Sequence, residues 1–462
     1  MKAYLLIDFG STYTKLTAVD IEKEEIIATS KAITTVEKDI MDGFYKAYAL
    51  LEEGFKDEKP NFIKKLACSS AAGGLKIIAI GLVPELTAEA AKRAALGAGA
   101  RVMKTYSFEL TDDEIEEIKG LKPDMLLLAG GTDGGNKECI LYNAELIARS
   151  NIGVPVVVAG NKSANSKIRE LFTKGNVVHA VCENVMPRLN VINVDPARDE
   201  IRKIFMERII QAKGLQGAEE YTSGVMMPTP AAVLRAARVL SEGSDLEEGY
   251  GELIVADIGG ATTDIHSIAK GEPSKPGINL RGLEEPYAKR TVEGDLGMRY
   301  SALSLWEAVG SRRIKKYLKF KDLKIEEAAR FRHENIRFIP ETMEEVDFDE
   351  AMAKVCLDVS MERHCGYLEP YYSPMGMVYN QVGKDLMETK YIIGTGGVLV
   401  HSENPKEILE ACVYNTDNIN SLKPRYPGFI LDEKYILSAM GLLSEDLPDM
   451  AVRIMKKYLI QL

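Results

Sequence analysis

The stretch Asp257-Ile-Gly-Gly-Ala-Thr-Thr-Asp264 sets two carboxylates beside a Gly-Gly turn ringed by hydroxyls. An apolar run, Leu253–Ala256, precedes it and an alternating run continues to Ile268, which predicts a β-hairpin with a polar tip. Gly259 and Gly260 lack the Cβ that would keep the backbone away from a ligand, and Thr262 and Thr263 add hydroxyl donors. Such a tip suits a phosphate chain with its Mg²⁺: amides meet the anion, and carboxylates hold a hydrated metal ion. Without a metal, Asp257 and Asp264 would repel the phosphates.

A second stretch repeats the design at the start of the chain. Tyr4-Leu-Leu-Ile-Asp8-Phe-Gly10-Ser11-Thr12-Tyr13-Thr14-Lys15 again runs apolar strand, Asp, Gly and hydroxyls, and an alternating strand follows to Val19. Two phosphate-type hairpins so far apart imply two similar lobes facing one nucleotide.

The elements that must carry these tips are legible around them. Residues 4–36 read as three short strands and Glu37–Phe55 as an amphipathic helix. After Pro60 the rhythm changes: strands near Leu75–Ile80, Arg101–Thr105, Met125–Ala129, Val154–Ala159 and Val177–Val181 alternate with helical segments. That alternation predicts a parallel sheet covered on both faces, a self-sufficient α/β insert over 60–190. Asp195–Gln211 reads as a helix with Pro196 near its start, and Ala231–Leu240 as a helix rich in small residues. Arg290–Arg299 is expected to open a helix running through Trp306, and Phe348–His364 reads as another. The expected division is 1–59 for the first lobe, 60–190 for the insert, 191–241 for the return of the first lobe, and 242–462 for the second lobe.

Composition limits the function. A chain of 462 residues predicts two or three domains with ample cores, and a net charge of −11 argues against nucleic acid or an anionic membrane as the main partner. The six cysteines are scattered without a Cys-x-x-Cys pair and read as reduced cytosolic thiols. Met1 leads almost at once into the first expected strand, an arrangement read as leaving no room for a signal peptide, and no apolar run approaches ~18 residues. The expectation is a soluble, cytoplasmic protein.

Taken with three further stretches, the two hairpins resemble the actin, Hsp70 and sugar-kinase superfamily of ATPases. Pro228-Thr-Pro-Ala-Ala-Val-Leu is similar to its first connecting helix, Ile392-Ile-Gly394-Thr-Gly396-Gly397-Val to its adenosine motif, and Ile436-Leu-Ser-Ala-Met-Gly441-Leu to its second connecting helix. The resemblance implies an α/β fold: two actin-like, ribonuclease H-like ATPase lobes around a nucleotide cleft, here with a flavodoxin-like parallel domain inserted in the first lobe. It also implies site roles. Amides of Gly10, Ser11 and Thr12 and of Gly259, Gly260, Ala261 and Thr262 would hold the phosphates of ATP, and Gly394, Gly396 and Gly397 would let adenosine lie against the backbone. Asp8 and Asp257 would hold the Mg²⁺ shell, with Asp264 further out. Lys15 would stabilise transferring charge, and Lys15 and Asp257 are the candidate catalytic residues. Hsp70-like proteins carry a carboxylate before the Pro-Thr of the connecting helix, where this chain has Met227, so no water-activating base is identified.

The finer pattern resembles the glutamate mutase accessory protein family, of GlmL or MutL type. It rests on Leu6–Lys15, the Leu128-Ala-Gly-Gly-Thr-Asp-Gly-Gly-Asn136 loop, Asp257–Asp264 and Thr291-Val-Glu-Gly-Asp-Leu-Gly-Met-Arg299. That family implies an ATPase reactivating an adenosylcobalamin-dependent carbon-skeleton mutase, whose subunits would be its partners and whose damaged cobalamin it would help to exchange. The insert resembles cobalamin-binding domains in rhythm, but Gly81-Leu-Val-Pro-Glu-Leu stands where those carry Asp-x-His-x-x-Gly, so the cobalamin histidine is absent.

Other readings of the residues are set beside this one. A small-molecule kinase would need an acceptor-activating Asp, for which Asp133 is the candidate. An activator of a radical dehydratase would need a cysteine-held iron–sulfur cluster, and the cysteines show no such arrangement. A filament-forming actin relative is a further option. Cys356, His364 and Cys365 are read as buried groups rather than metal ligands, Val156–Ser163 as lacking the order of a P-loop, and Gly130–Asn136 as a tight turn needing positive φ.

Overall fold

The computed structural model describes residues 1–462 except 11, 35–39, 56–58, 71–74, 206–220, 223–225 and 375. The chain divides into two units. Unit 1 comprises Met1–Ala236, Gly282–Pro286 and Leu437–Ile454; unit 2 comprises Ala237–Arg281, Tyr287–Ile436 and Met455–Leu462. The second lobe expected over 242–462 therefore gives up 282–286 and 437–454 to the first.

In unit 1, β1 (Lys2–Phe9), β2 (Tyr13–Asp20) and β3 (Glu25–Ile33) form an antiparallel meander, and β4 (Asn61–Ser69) runs parallel to β1. The helix Ile40–Glu53 buries Phe44, Ala47 and Leu51; residues 37–39, where the sequence starts this helix, lie outside the described residues. β5 (Lys76–Gly81), β6 (Arg101–Ser107), β7 (Met125–Leu128), β8 (Val156–Val158) and β9 (His179–Val181) make a separate, all-parallel sheet in the order β6-β5-β7-β8-β9. This is the flavodoxin-like order, and its short runs such as Met-Leu-Leu-Leu and Val-Val-Val are apolar throughout because both faces are covered. β10 (Met226–Pro228) returns to pair with β4, completing the first sheet as β10-β4-β1-β2-β3.

Two expectations about the insert change. Residues 61–69 belong to the first sheet through β4, so the inserted sheet begins after Ser69 rather than at 60. Nor is the insert self-sufficient. Ile77, Ala79, Leu127 and Val157 on one face of its sheet join Leu5, Ile7, Phe9 and Phe44 in a single core, while Ile78, Ile80, Leu126, Leu128 and Phe172 form a separate core on the other face. The helix expected over Asp195–Gln211 is seen as Asp195–Ile204, and 206–211 lie outside the described residues.

Unit 2 repeats the plan of the first sheet. Its strands are β11 (Leu253–Ile258), β12 (Thr263–Ile268), β13 (Asn279–Arg281), β14 (Ala288–Glu293), β15 (Tyr367–Ser373), β16 (Gly376–Val382), β17 (Tyr391–Thr395), β18 (Gly428–Leu431) and β19 (Ile460–Gln461). The main sheet runs β14-β12-β11-β17-β18-β19, and β13, β16 and β15 form a small second sheet. β14, β12 and β11 are antiparallel neighbours, and β17 and β18 follow in parallel. Counted from the first strand of each sheet, both units thus read third-second-first-fourth-fifth, the ribonuclease H-like order. The fold class is α/β, with two such units and a flavodoxin-like sheet inserted in the first.

One expected helix start is a strand. Ala288–Glu293 pairs with β12, and the helix through Trp306 begins only at Ala302. The helix read from Phe348 starts earlier, at Met343, where Thr342 and Glu345 form a reciprocal capping box.

Candidate functional site

Each hairpin closes its tip by the same backbone device. The Gly10 N–H donates to Tyr13 O at 3.1 Å, and the Gly259 N–H to Thr262 O at 2.8 Å. A Cβ on Gly10 would lie 2.5 Å from Tyr13 O, so the first turn requires glycine, and one on Gly259 would lie 3.0 Å from Thr262 O, a tight approach that the second turn would have to relax by a few tenths of an ångström. Gly260 differs. A Cβ there would come no nearer than 3.6 Å to any neighbour, the closest being Arg299 Cβ, and its φ lies outside the left-handed region.

The backbone behind the second tip sets the direction of its amides. Gly259 O accepts from the Met298 N–H at 3.1 Å, Gly260 O from the Arg299 N–H at 2.8 Å, and Ala261 O from the Ser301 hydroxyl at 2.6 Å. Because a trans peptide is planar, with N–H opposed to C=O, these bonds turn the N–H groups of Gly260, Ala261 and Thr262 away from the 298–301 segment. Three consecutive amides with that bias form an anion-receptive tip. In the first hairpin Gly10 O accepts from the Thr34 hydroxyl at 2.9 Å and Thr12 O from the Thr34 N–H at 2.9 Å. Ser11, assigned to the same phosphate set, lies outside the described residues.

The carboxylates are held in different ways. Asp8 is 4% exposed; its Oδ1 accepts from Thr229 Oγ1 at 2.7 Å and from the Cys68 thiol at 3.6 Å, and its Oδ2 accepts from Ser438 Oγ at 3.1 Å. Lys15, opposite Asp8 in the β1–β2 register, places Nζ 3.9 Å from Oδ2. Burial and the neighbouring Asp8 push the Cys68 thiol well above its ordinary range, which keeps it a donor. Asp264 instead takes Arg290 Nε at 2.8 Å and Nη2 at 2.6 Å on Oδ1, and Thr262 Oγ1 at 3.1 Å on Oδ2. Its charge is matched inside the protein. Asp257, half-buried, faces Asp264 across the β11–β12 register and Thr395 across β11–β17. Next along β12, burial and Arg290 push His266 down to about 3, so the imidazole behind this hairpin is neutral.

The glycines assigned to adenosine fall into two kinds. A Cβ at Gly394 would meet Leu409 and Leu399 side chains at 2.7 and 2.8 Å, and one at Gly396, whose φ is +114°, would lie 2.3 Å from Ile258 O. Both serve packing: Gly396 lets the turn after β17 close against the end of β11. Gly397 opens the next helix, and a Cβ there would meet only Tyr435 Oη, at 3.9 Å.

A family model described as MutL protein matches residues 4–459. The chain belongs to the MutL family. It is 63% identical over 461 residues to Protein MutL of Clostridium tetanomorphum, with 100% of each chain covered. Among solved structures, the ligand-bound xylulose kinase from Lactobacillus acidophilus is similar with a TM-score of 0.37 and 10% identity, over 100% of this chain and 93% of that one. The activator of the 2-hydroxyisocaproyl-CoA dehydratase from Clostridium difficile with bound ADPNP is similar with a TM-score of 0.31 and 9% identity, over 98% and 97%.

In this MutL-family chain the competing sequence motifs are structural. Gly130, Gly131 and Gly134 have φ of +144°, +71° and +77°, and a Cβ at Gly131 would lie 2.0 Å from Asn136 O. Buried Asn161 and Asn184 clamp that loop: Asn161 Nδ2 donates to Gly135 O and Asn136 O at 3.0 Å each, and Asn184 Nδ2 to Gly131 O at 3.0 Å. Asp133 is part of the brace, accepting from the Lys162 N–H at 3.0 Å and Asn184 Nδ2 at 3.1 Å. Cys356, His364 and Cys365 are all buried, and burial pushes Cys356 up to about 12. Among the described residues no group of three or more His, Cys, Asp or Glu is arranged to hold a metal by itself, and no helix is long and apolar enough to cross a membrane.

Among the described residues, four that hydrogen-bond the candidate carboxylates carry no role in the sequence reading: Cys68, Thr229, Ser438 and Arg290. Thr229 and Ser438 lay inside the quoted connecting-helix motifs, and Arg290 opened another quoted stretch. Their chemistry was visible; their partners were not, because Thr229 and Ser438 stand 221 and 430 residues from Asp8.

Proposed function

We propose that the chain is an ATP-dependent reactivating factor for an adenosylcobalamin-dependent carbon-skeleton mutase of the glutamate mutase type, acting in the cytoplasm on the mutase subunits. Membership of the MutL family supports the accessory role. The observation that carries nucleotide binding is the duplicated hairpin: the same turn closure at Gly10 and Gly259, each beside an acidic strand end. The open space at Gly260 and Gly397 supports it further, since the protein's own packing does not exclude a side chain at either position.

The residues present fit ATP with Mg²⁺. Amides of Gly260, Ala261 and Thr262, with the first tip at Gly10, Ser11 and Thr12, take the phosphate oxygens, and Gly259 shapes the turn. Gly397 leaves room for adenosine, while Gly394 and Gly396 set the backbone course beside it. Asp8 and Asp257 would supply the carboxylates for the metal, consistent with the preference of Mg²⁺ for a few carboxylates plus phosphate. Asp264, matched to Arg290, acts at longer range by fixing the tip through Thr262. Lys15 supplies a positive charge to the transferring phosphoryl group. When bound, Mg²⁺ neutralises phosphate charge and so permits acidic strand ends in the site.

Calorimetry of ATP binding with and without Mg²⁺ tests the site, and cobalamin release from an inactivated mutase on adding ATP tests the role. Asp257→Ala is expected to weaken Mg²⁺-dependent binding by ~1–3 kcal/mol, as for loss of one charged hydrogen-bonding partner. Unchanged affinity would remove Asp257 from the site, and ATP binding without cobalamin release would remove the reactivating role.

A further inference from the structure

Asp8 and Asp264 are the inner carboxylates of two similar hairpins, yet their surroundings differ in kind. Asp264 is neutralised by a guanidinium. Asp8 is oriented by hydroxyls: Thr229, the first residue of the helix Thr229–Glu242, donates to Oδ1 at 2.7 Å, and Ser438, in the helix Leu437–Leu443, donates to Oδ2 at 3.1 Å. Lys15 Nζ, 3.9 Å from Oδ2, is too far to hydrogen-bond it, so the donors in contact with Asp8 are uncharged; they fix the carboxylate's orientation while leaving it able to face an external cation.

The hydroxyls are themselves fixed by packing. The two helices meet so closely that a Cβ on Gly441, three residues after Ser438, would lie 1.9 Å from Ala232 O, three residues after Thr229. The crossing therefore holds the Oγ atoms of Thr229 and Ser438 on opposite oxygens of one buried side chain.

We propose that Thr229 and Ser438 are positioning residues: a hydroxyl clamp that aims the Asp8 carboxylate at the hydrated Mg²⁺ accompanying the nucleotide. This rests on the Mg²⁺–nucleotide reading given above. Neither residue touches the metal or the phosphates; each acts by restricting Asp8, in the manner of outer-shell partners that orient metal ligands.

The test is a Mg²⁺ titration of ATP binding by calorimetry on the full chain, with thermal unfolding measured alongside. Ser438→Ala and Thr229→Val are each expected to raise the half-saturating Mg²⁺ concentration about tenfold, the lower end of outer-shell effects, with metal-free ATP affinity unchanged. Ser438→Thr, which keeps the hydroxyl, is expected to restore the wild-type titration. If Ser438→Ala fails to fold, Thr229→Val carries the same test through the other oxygen. A wild-type titration in a folded alanine or valine variant, or a Ser438→Thr shift as large as that of Ser438→Ala, overturns the clamp alone. Absence of any Mg²⁺ dependence in the wild type overturns the Mg²⁺–nucleotide reading and the clamp with it.

Discussion

At the scale of single residues, Gly259 and Gly260 are chain neighbours under different constraints. The Gly-Gly tip suggests equal roles for Gly259 and Gly260, yet Gly259 is held by its own turn while Gly260 has room for a side chain. Asp264 stood among the metal carboxylates on type and spacing; its partner Arg290 lies 26 residues on and reaches it only through the β12–β14 register. These assignments separate binding from folding. Gly260→Val should leave stability within roughly 0.5 kcal/mol, as for a surface substitution, because φ is unstrained and the nearest neighbour is 3.6 Å away. The branched side chain would stand where phosphates approach, so nucleotide affinity should fall at least about tenfold, or ~1.4 kcal/mol. Lost stability with normal affinity in the folded fraction would make Gly260 a structural turn residue.

At the scale of elements, long apolar or alternating runs announced themselves, and elements defined by a distant partner did not. The inner strands β5, β7 and β8 of the insert are legible because nearly continuous apolar runs bounded by helical segments have few other solutions. Arg290–Arg299 reads as the start of a helix because its carboxylates suit a first turn; the pairing of Ala288–Glu293 with β12 makes Arg290–Glu293 strand instead, tertiary context overriding local preference. The small residues noted in Ala231–Leu240 permit a close helix crossing, and the approach of Gly441 to Ala232 gives it a measurable consequence. An exposed helical Gly→Ala change typically gains ~1 kcal/mol in propensity. At Gly441 the added Cβ would sit 1.9 Å from a backbone oxygen, which cannot rotate away as a side chain could. Overpacking of ~1–3 kcal/mol should therefore win, and Gly441→Ala should lower the urea midpoint with an unchanged slope. A midpoint at or above that of the wild type would show that the helices part easily.

At the scale of the whole molecule, duplication of the hairpin motif correctly implied duplication of the sheet behind it, since both units share one strand order. Boundaries were less legible. β4 follows Pro60 and looks like the first strand of a new rhythm, and only its pairing with β1 returns it to the first sheet. The insert's resemblance to cobalamin-binding domains without the cobalamin histidine suggests that it docks the partner, and the shared core decides how such a role can be tested. Excising the inserted sheet would strip Ile77, Ala79, Leu127 and Val157 from the core that contains Leu5, Ile7 and Phe44, so loss of function in such a deletion would report unfolding. Substitution on the exposed surface avoids this. Phe108, 58% exposed after β6, and Leu189, 66% exposed after β9, present apolar side chains that the insert's own cores do not use. If the insert meets the mutase, Phe108→Asp with Leu189→Asp should reduce ATP-driven cobalamin release at least about tenfold, the effect of losing one or two interface anchors. ATP affinity and thermal stability should be unchanged, because the candidate nucleotide residues lie outside the inserted sheet. Full reactivation by the double variant would show that this part of the insert is a structural elaboration of the first unit and that the mutase is met elsewhere.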